Sequence, residues 1–334
     1  MKNITIADVA NQAKVSKSTV SQYLNKRYEY MSESTRLKIE QTIKELNYHP
    51  NIVARSLKQK STYTVGVIVA NILHTFSTQI IRAIENYFHQ HGFHIIVCNA
   101  DDEPEKERNY IEMLMAKQVD GIIIFPTGGN IDLYKSMIKK EFPIVFMDRT
   151  IDELEIPTVM LDNIQASTLA VDRLVENGYS RIAIVTTSII RNISPRVERI
   201  QGYKLALEQH QIPVQSIYIK TPEVHQIEEA LDELFQLGKP PQAIIAGNDR
   251  VLIDVLKYIK QHNLKMPTEI AVIGIDEVSF ASFFTPSITT ISQPAIEMAN
   301  LAVDLLLKQI KGTDSADEKK VYRLQASLNK RESC

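Results

Sequence analysis

Between Ile6 and Leu46, apolar residues recur at helical spacing in three short blocks. Ile6, Val9, Ala10 and Ala13 make one stripe, opened by Thr5 with Asp8 three residues on, a capping-box-like pair that starts a helix. Val15-Ser16 interrupts it, and Ser16 caps a second helix from Lys17 to about Asn25. There Val20 and Leu24 face inward, while Lys17, Ser18, Ser21 and Gln22 face outward near the start. A third stripe, Ile39, Ile43 and Leu46, predicts a helix from Ser32 to about Asn47. Three short helices with a tight turn between the first two predict a helix-turn-helix, whose second helix lies in the DNA major groove. A plain three-helix bundle shares this periodicity. The small, polar, lysine-bearing face at 17–22 favours DNA.

From Thr62 onward the pattern changes to continuous apolar runs alternating with amphipathic segments. Strands are predicted at Val65–Ala70, Ile95–Ala100, Gly121–Pro126, Ile144–Asp148 and Thr158–Leu161. A second series follows at Ile182–Thr186, Ile217–Lys220, Ala243–Gly247, Val272–Ile275 and Thr289–Ser292. Helices fall between them, including Thr78–His91, Lys106–Lys117, Ala166–Asn177, Gly202–Gln211, Ile227–Leu237 and Val251–Asn263. Gln293–Lys311, with Pro294 in its first turn, reads as one more. Apolar strands alternating with helices predict an α/β fold with two doubly wound parallel sheets, each covered on both faces.

The 334 residues exceed the ~100–200 usual for one domain, in line with a head and a body. Hydrophobic residues at 44% and charged residues at 23% exclude a disordered or collagen-like chain. No apolar run reaches the ~18 residues of a membrane span, and the N-terminus lacks a signal peptide's apolar stretch. Cys98 and Cys334 form no metal spacing or disulfide framework, which favours a reducing cytoplasm. The net charge of −2 conceals an asymmetry. Residues 1–62 hold eleven Lys and Arg against five acids, +6, and the rest holds 27 against 35, −8. A basic head on an acidic body fits one end meeting a polyanion.

Four segments now stand in order: Thr5-Ile6-Ala7-Asp8-Val9-Ala10, Val15-Ser16-Lys17-Ser18-Thr19-Val20-Ser21, Leu46-Asn47-Tyr48-His49-Pro50-Asn51 and Ala54-Arg55-Ser56-Leu57. Together they resemble the DNA-binding head of the lactose/galactose repressor (LacI/GalR) family, and the likeness extends over nearly the whole chain. It implies a helix-turn-helix domain at 1–50, a hinge helix and linker at 51–61, and an effector-binding and dimerisation core of periplasmic-binding-protein type at 62–334. Subdomain N would comprise roughly 62–162 and 292–322, subdomain C roughly 163–291 and 323–334. The implied DNA contacts are Thr5, Ser16, Lys17, Ser18, Thr19, Ser21, Gln22 and Asn25, with Lys17 and Ser18 reading bases and Thr19, Ser21 and Asn25 near phosphates. In the hinge they are Asn51, Ala54, Arg55 and Leu57, the leucine wedging between base pairs in the minor groove. Two departures matter. Lys14 stands at a turn position that is usually Gly, which implies a left-handed backbone there. Gln22 stands where the lactose repressor has arginine, and glutamine pairs with adenine where arginine prefers guanine.

Ligands of doubly wound sheets sit beyond the strand C-termini. Those ends and loops supply Asn71, Phe76, Ser77, Thr127, Asp148, Arg149, Asp162, Asn248 and Asp276, and the loop before Gly202 adds Arg196 and Arg199. By chemistry alone a strand-end Asp is more often a helix cap than a ligand contact. The resemblance reverses that for Asp148, Arg199, Asn248 and Asp276, which match effector-cleft positions in the family. Arg149, Arg191 and Arg196 near Arg199 suggest an anionic effector, such as a sugar acid or sugar phosphate. The stretch Val65–Glu85 resembles members that regulate pectin and hexuronate breakdown, implying 2-keto-3-deoxygluconate as ligand.

His89, His91 and His94 span a helix end and a strand start, so their rings diverge, and no metal is expected. No cofactor loop and no nucleophile–base pair occurs, which argues against an enzyme. The expected partners are a near-palindromic double-stranded operator, a second copy in a homodimer, and a small sugar or sugar-acid effector. No leucine-heptad tail follows Lys311 to pair dimers further. The alternative is a sugar-binding receptor without DNA function, against which the basic head stands.

Overall fold

The structure, a computed structural model, describes residues 4–49, 61–313 and 320–334. They divide into two units at the Thr62–Tyr63 boundary. The expected hinge helix, with Asn51, Ala54, Arg55 and Leu57, lies outside the described residues.

The first unit is built on α1 (Ile6–Ala13), α2 (Lys17–Leu24) and α3 (Glu33–Glu45), with a short 3₁₀ turn at Tyr28–Tyr30. The apolar stripes meet as expected: Val9, Ala10, Ala13, Val20 and Ile39 are buried together with Tyr48. The Thr5 backbone N–H donates to the Asp8 carboxylate at 2.8 Å, closing the start of α1. Between α1 and α2 the chain turns through Lys14 at φ 52°, ψ 45°, a left-handed conformation that costs a residue bearing a Cβ about 1 kcal/mol.

The second unit holds two six-stranded sheets. Its strands are β1 (Thr64–Val69), β2 (His94–Asn99), β3 (Gly121–Ile124), β4 (Ile144–Met147), β5 (Thr158–Leu161), β6 (Ile182–Val185), β7 (Ile219–Lys220), β8 (Ala243–Ala246), β9 (Ala271–Ile275), β10 (Thr289–Ser292), β11 (Val321–Leu324) and β12 (Ser327–Asn329). The orders are β11-β5-β4-β3-β1-β2 and β12-β10-β9-β8-β6-β7, so each lobe repeats one doubly wound plan. Among the described residues every pairing is parallel except β10 with β12, an antiparallel edge that sequence pattern did not foresee. The helices are α4 (Thr75–Gln90), α5 (Pro104–Ala116), α6 (Ile131–Lys139), α7 (Asn163–Glu176), α8 (Ser194–Gln209), α9 (Ile227–Phe235), α10 (Asp249–Gln261) and α11 (Ala295–Lys311). Apolar side chains fill both faces of each sheet.

Three differences from expectation bear on function. α8 begins at Ser194, not Gly202, so Arg196 and Arg199 lie on its first turns and not in a loop. Pro195 is tolerated there because a first-turn residue needs no N–H. α4 begins at Thr75, three residues early, so Phe76 and Ser77 are helical. The strand expected from Ile217 starts at Ile219, because Ser216–Tyr218 forms a 3₁₀ turn. The chain passes between lobes after β5, after β10 and between β11 and β12, the last at 325–326 and not near 322. Gly202 fixes α8 against α7: a Cβ there would lie 2.5 Å from the Ile164 carbonyl oxygen.

Candidate functional site

In the head, the start of α2 carries the candidate DNA-facing groups. Ser16 caps it, its Oγ accepting the Thr19 N–H at 3.1 Å. The same oxygen lies 2.6 Å from Ser18 Oγ and 2.8 Å from Thr19 Oγ1. Capping thus ties three of the expected contact residues into one hydroxyl cluster. Lys17 and Ser18 are exposed, and Ser21 and Gln22 are half-exposed one turn on. Asn25, just past the helix, folds back to donate to the Ser21 carbonyl at 2.8 Å. The Thr5 hydroxyl donates to Asp8 at 2.7 Å.

In the body, a cleft partly open to solvent lies where the strand C-termini of the two lobes face each other. Asn71, Phe76, Ser77, Asp148, Arg149, Arg196, Arg199, Asn248 and Asp276 all line it. Thr127 and Asp162 do not. Thr127 is buried, and its N–H donates to Glu107 at 2.8 Å. Asp162 caps α7, accepting the Gln165 N–H at 3.0 Å, and takes a second bond from Gln325 at the lobe crossing. Here the general rule about strand-end aspartates holds. Arg191 points elsewhere, donating to the Asp102 carbonyl. His74, Phe125, Ile193, Pro195 and Gln293 line the cleft without having been foreseen.

Asp148 and Asp276 occupy equivalent places in the two lobes. Each donates its N–H to the neighbouring strand, Asp148 to Val159 at 2.8 Å and Asp276 to Ile291 at 2.9 Å. The backbone then turns to positive φ, 66° at Asp148 and 90° at Asp276. Such strain in a residue with a Cβ is characteristic of functional sites. Burial raises both carboxyls above the usual range; Arg149 and then Arg199 oppose this at Asp148, and Arg199 does so at Asp276.

The other polar groups are oriented by bonds away from the cleft. Arg199 donates from Nε to Asn163 at 2.9 Å and from Nη1 to the Gly247 carbonyl at 2.5 Å. Asn248 caps α10 through its oxygen, which accepts the Val251 N–H at 2.9 Å, leaving its amide N–H groups as donors. Gln293 donates to Asp276 at 2.5 Å, while its Oε1 is buried without a partner. Arg149 Nε is likewise buried without a hydrogen bond, its nearest acid being Asp148 at 3.7 Å. Native structures rarely leave such atoms orphaned. Phe76 and Phe125, edge to face at 6.4 Å between centroids, add an apolar wall. Carboxylates, amides, guanidiniums and aromatic rings in one cleft suit a polyhydroxylated ligand.

Among the described residues, no group of three or more His, Cys, Asp or Glu is placed to hold a metal, and no helix is long and apolar enough to cross a membrane.

A helix-turn-helix head and a two-lobed body with a polar cleft define a ligand-sensing, DNA-binding regulator. Residues 5–51 match the model for bacterial regulatory proteins of the lacI family, and residues 62–332 match that for periplasmic binding proteins and the sugar-binding domain of the LacI family. The chain belongs to the LacI family; it is a DNA-binding transcriptional regulator with a sugar-sensing body, and not an enzyme. It is 48% identical over 98% of both chains to the probable HTH-type transcriptional regulator EndR of Paenibacillus polymyxa. It is 34% identical to the HTH-type transcriptional regulator KdgR of Bacillus subtilis, covering 98% of this chain and 97% of that one. The Lac repressor bound to ONPG in its repressed state superposes with a TM-score of 0.87 at 28% identity, over all of both chains.

Proposed function

We propose that this regulator is a cytoplasmic homodimeric repressor that binds a near-palindromic operator and is released by a sugar acid, 2-keto-3-deoxygluconate or a related hexuronate catabolite. Each head reads one half-site through the start of α2, because two-fold protein symmetry is mirrored in the DNA. A solved Lac repressor dimer bound to operator, 27% identical over 99% of both chains, supports the dimeric arrangement. The resemblance of Val65–Glu85 to members that regulate pectin and hexuronate breakdown supports the effector class. The observation that carries the ligand reading is the set of Arg149, Arg196 and Arg199 lining one cleft with Asp148, Asp276 and Asn248. Together they call for a ligand with an electron-rich acceptor at one end and hydroxyl donors at the other.

An inducer must bind the DNA-free form more tightly than the DNA-bound form, by roughly 1–3 kcal/mol in typical allosteric systems. Calorimetry of the full-length protein against 2-keto-3-deoxygluconate, galacturonate and neutral sugars tests the effector. Tight binding to neutral sugars alone overturns it. For the hinge, Leu57→Ala is expected to weaken operator binding greatly and spare effector binding; equal loss of both points to misfolding instead.

A further inference from the structure

Asp102 lies in the loop after β2, outside the cleft lining, yet two of the three cleft arginines turn toward it. Arg149 Nη1 donates to Asp102 Oδ1 at 2.7 Å, and Arg196 Nη2 stands 3.5 Å from Oδ2. Arg149 follows β4 in the first lobe and Arg196 lies on α8 in the second. One carboxylate therefore serves guanidiniums from both walls. Their other acceptors, the carbonyls of Pro126 and Ser188, are neutral. Beyond them, Arg149 Nε has only Asp148, at 3.7 Å.

Electrostatics agrees with this geometry. Burial, then repulsion from Arg149, lowers Arg196 to about 10. Burial raises the Asp102 carboxyl, but Arg149 and then Arg196 hold it below its ordinary value. The acids at and behind the cleft are Asp102, Asp148, Asp249 and Asp276, and the cations are Arg149, Arg196 and Arg199, with His74 and with Arg191 on the Asp102 carbonyl. With carboxylates matching the guanidiniums, an anion is not drawn in by overall charge. It gains a counter-ion only where it takes a guanidinium from its present partner.

We infer that Asp102 sets the charge selectivity of the cleft, as a built-in counter-carboxylate that an anionic effector must outcompete for Arg149 and Arg196. The inference rests on the sugar-acid reading above. A neutral sugar, held by hydroxyl contacts to Asp148, Asp276 and Asn248, is indifferent to this exchange. An acid is not, because removing one negative charge beside two cleft guanidiniums raises the potential where its carboxylate docks.

The test is calorimetry on full-length wild type, Asp102→Asn, Arg196→Gln and the double variant, with D-galacturonate and 2-keto-3-deoxygluconate as acids and D-galactose as the neutral probe. Asp102→Asn is expected to tighten acid binding by at least about tenfold, about 1.4 kcal/mol, with galactose unchanged. The double variant is expected to lose that gain. Equal weakening of acid and neutral binding makes Asp102 a positioning residue for the arginines and overturns the inference, as does an unaltered ratio between them. If Asp102→Asn does not fold, Asp102→Ser decides: its acid affinity rises relative to galactose, and an unchanged ratio overturns the inference. A wild type that binds only galactose contradicts the sugar-acid effector. A gain of acid binding in Asp102→Asn still supports the selectivity role in that case, so the two failures are distinguishable.

Discussion

Asp249 opens α10 in the second lobe, and its carboxylate reaches the start of α4 in the first. Oδ1 lies 2.6 Å from His74 Nδ1, and Oδ2 accepts the Thr75 N–H at 2.6 Å, with the side chain 2% exposed. One lobe thus caps a helix of the other, where the helix dipole favours an anion. In Asp249→Asn, the amide oxygen can still accept the Thr75 N–H and the NH₂ can donate to His74 Nδ1 in its accepting tautomer, but both bonds lose the carboxylate's charge. A charge-assisted bond contributes about 1.5–3 kcal/mol against about 0.5–1.5 for a neutral one, so the expected loss over the two is about 2–3 kcal/mol. For a body of this size, each kcal/mol lowers the melting temperature by about 2–4 °C, which gives a fall of roughly 5–10 °C. The pH dependence has a definite sign. Burial raises the Asp249 carboxyl, but the bonds from His74 and Thr75 override it, so the folded-state value is depressed. Its stabilisation is full above the unfolded-state value, about 3.9, and is lost as pH falls through the folded one. Differential scanning calorimetry of the full-length protein is expected to show a wide gap between wild type and variant at neutral pH that closes in acid. A variant melting within about 1 °C of wild type at neutral pH would refute the clasp.

Gly202→Ala is expected to destabilise the body by about 1–3 kcal/mol, because the added Cβ meets Ile164 backbone that cannot yield cheaply; denaturant unfolding measures it. Lys14→Gly removes left-handed strain, so head amides are expected to gain up to about 1 kcal/mol of hydrogen-exchange protection in the full-length chain. Operator affinity is expected to fall steeply with salt through counterion release; a flat dependence in a filter-binding titration contradicts phosphate contact by the basic head.

The head was legible because its signals are local. Thr5 with Asp8, Ser16 and Ser32 mark the helix starts within one turn, and short apolar stripes fix the inward faces. The body's strands were legible as continuous apolar runs, whereas β11 and β12 are short, mostly half-exposed and lack that signature. In the cleft, residues just beyond strand ends were found because the fold rule names that position. Thr127 and Asp162 obey the same rule but were claimed by a buried glutamate and a helix cap, competitors that only packing reveals. His74 and Gln293 carry no motif; the first precedes a helix and the second sits where the chain changes lobe. The start of α8 at Ser194, with Pro195 in its first turn, carries no apolar stripe before Gly202 that would have extended the helix back.

The three passages between lobes also order events during synthesis. The first sheet takes β11 as its edge strand, and α11 packs beneath it, so neither is complete until residue 324 has left the ribosome. The second sheet waits for β12, only a few residues later. The buried core of the head, among the described residues, comes from residues up to Tyr48. A nascent chain therefore carries its DNA-reading element well before it carries a finished sensor, and both sensing lobes close almost together, once β11 and β12 have emerged.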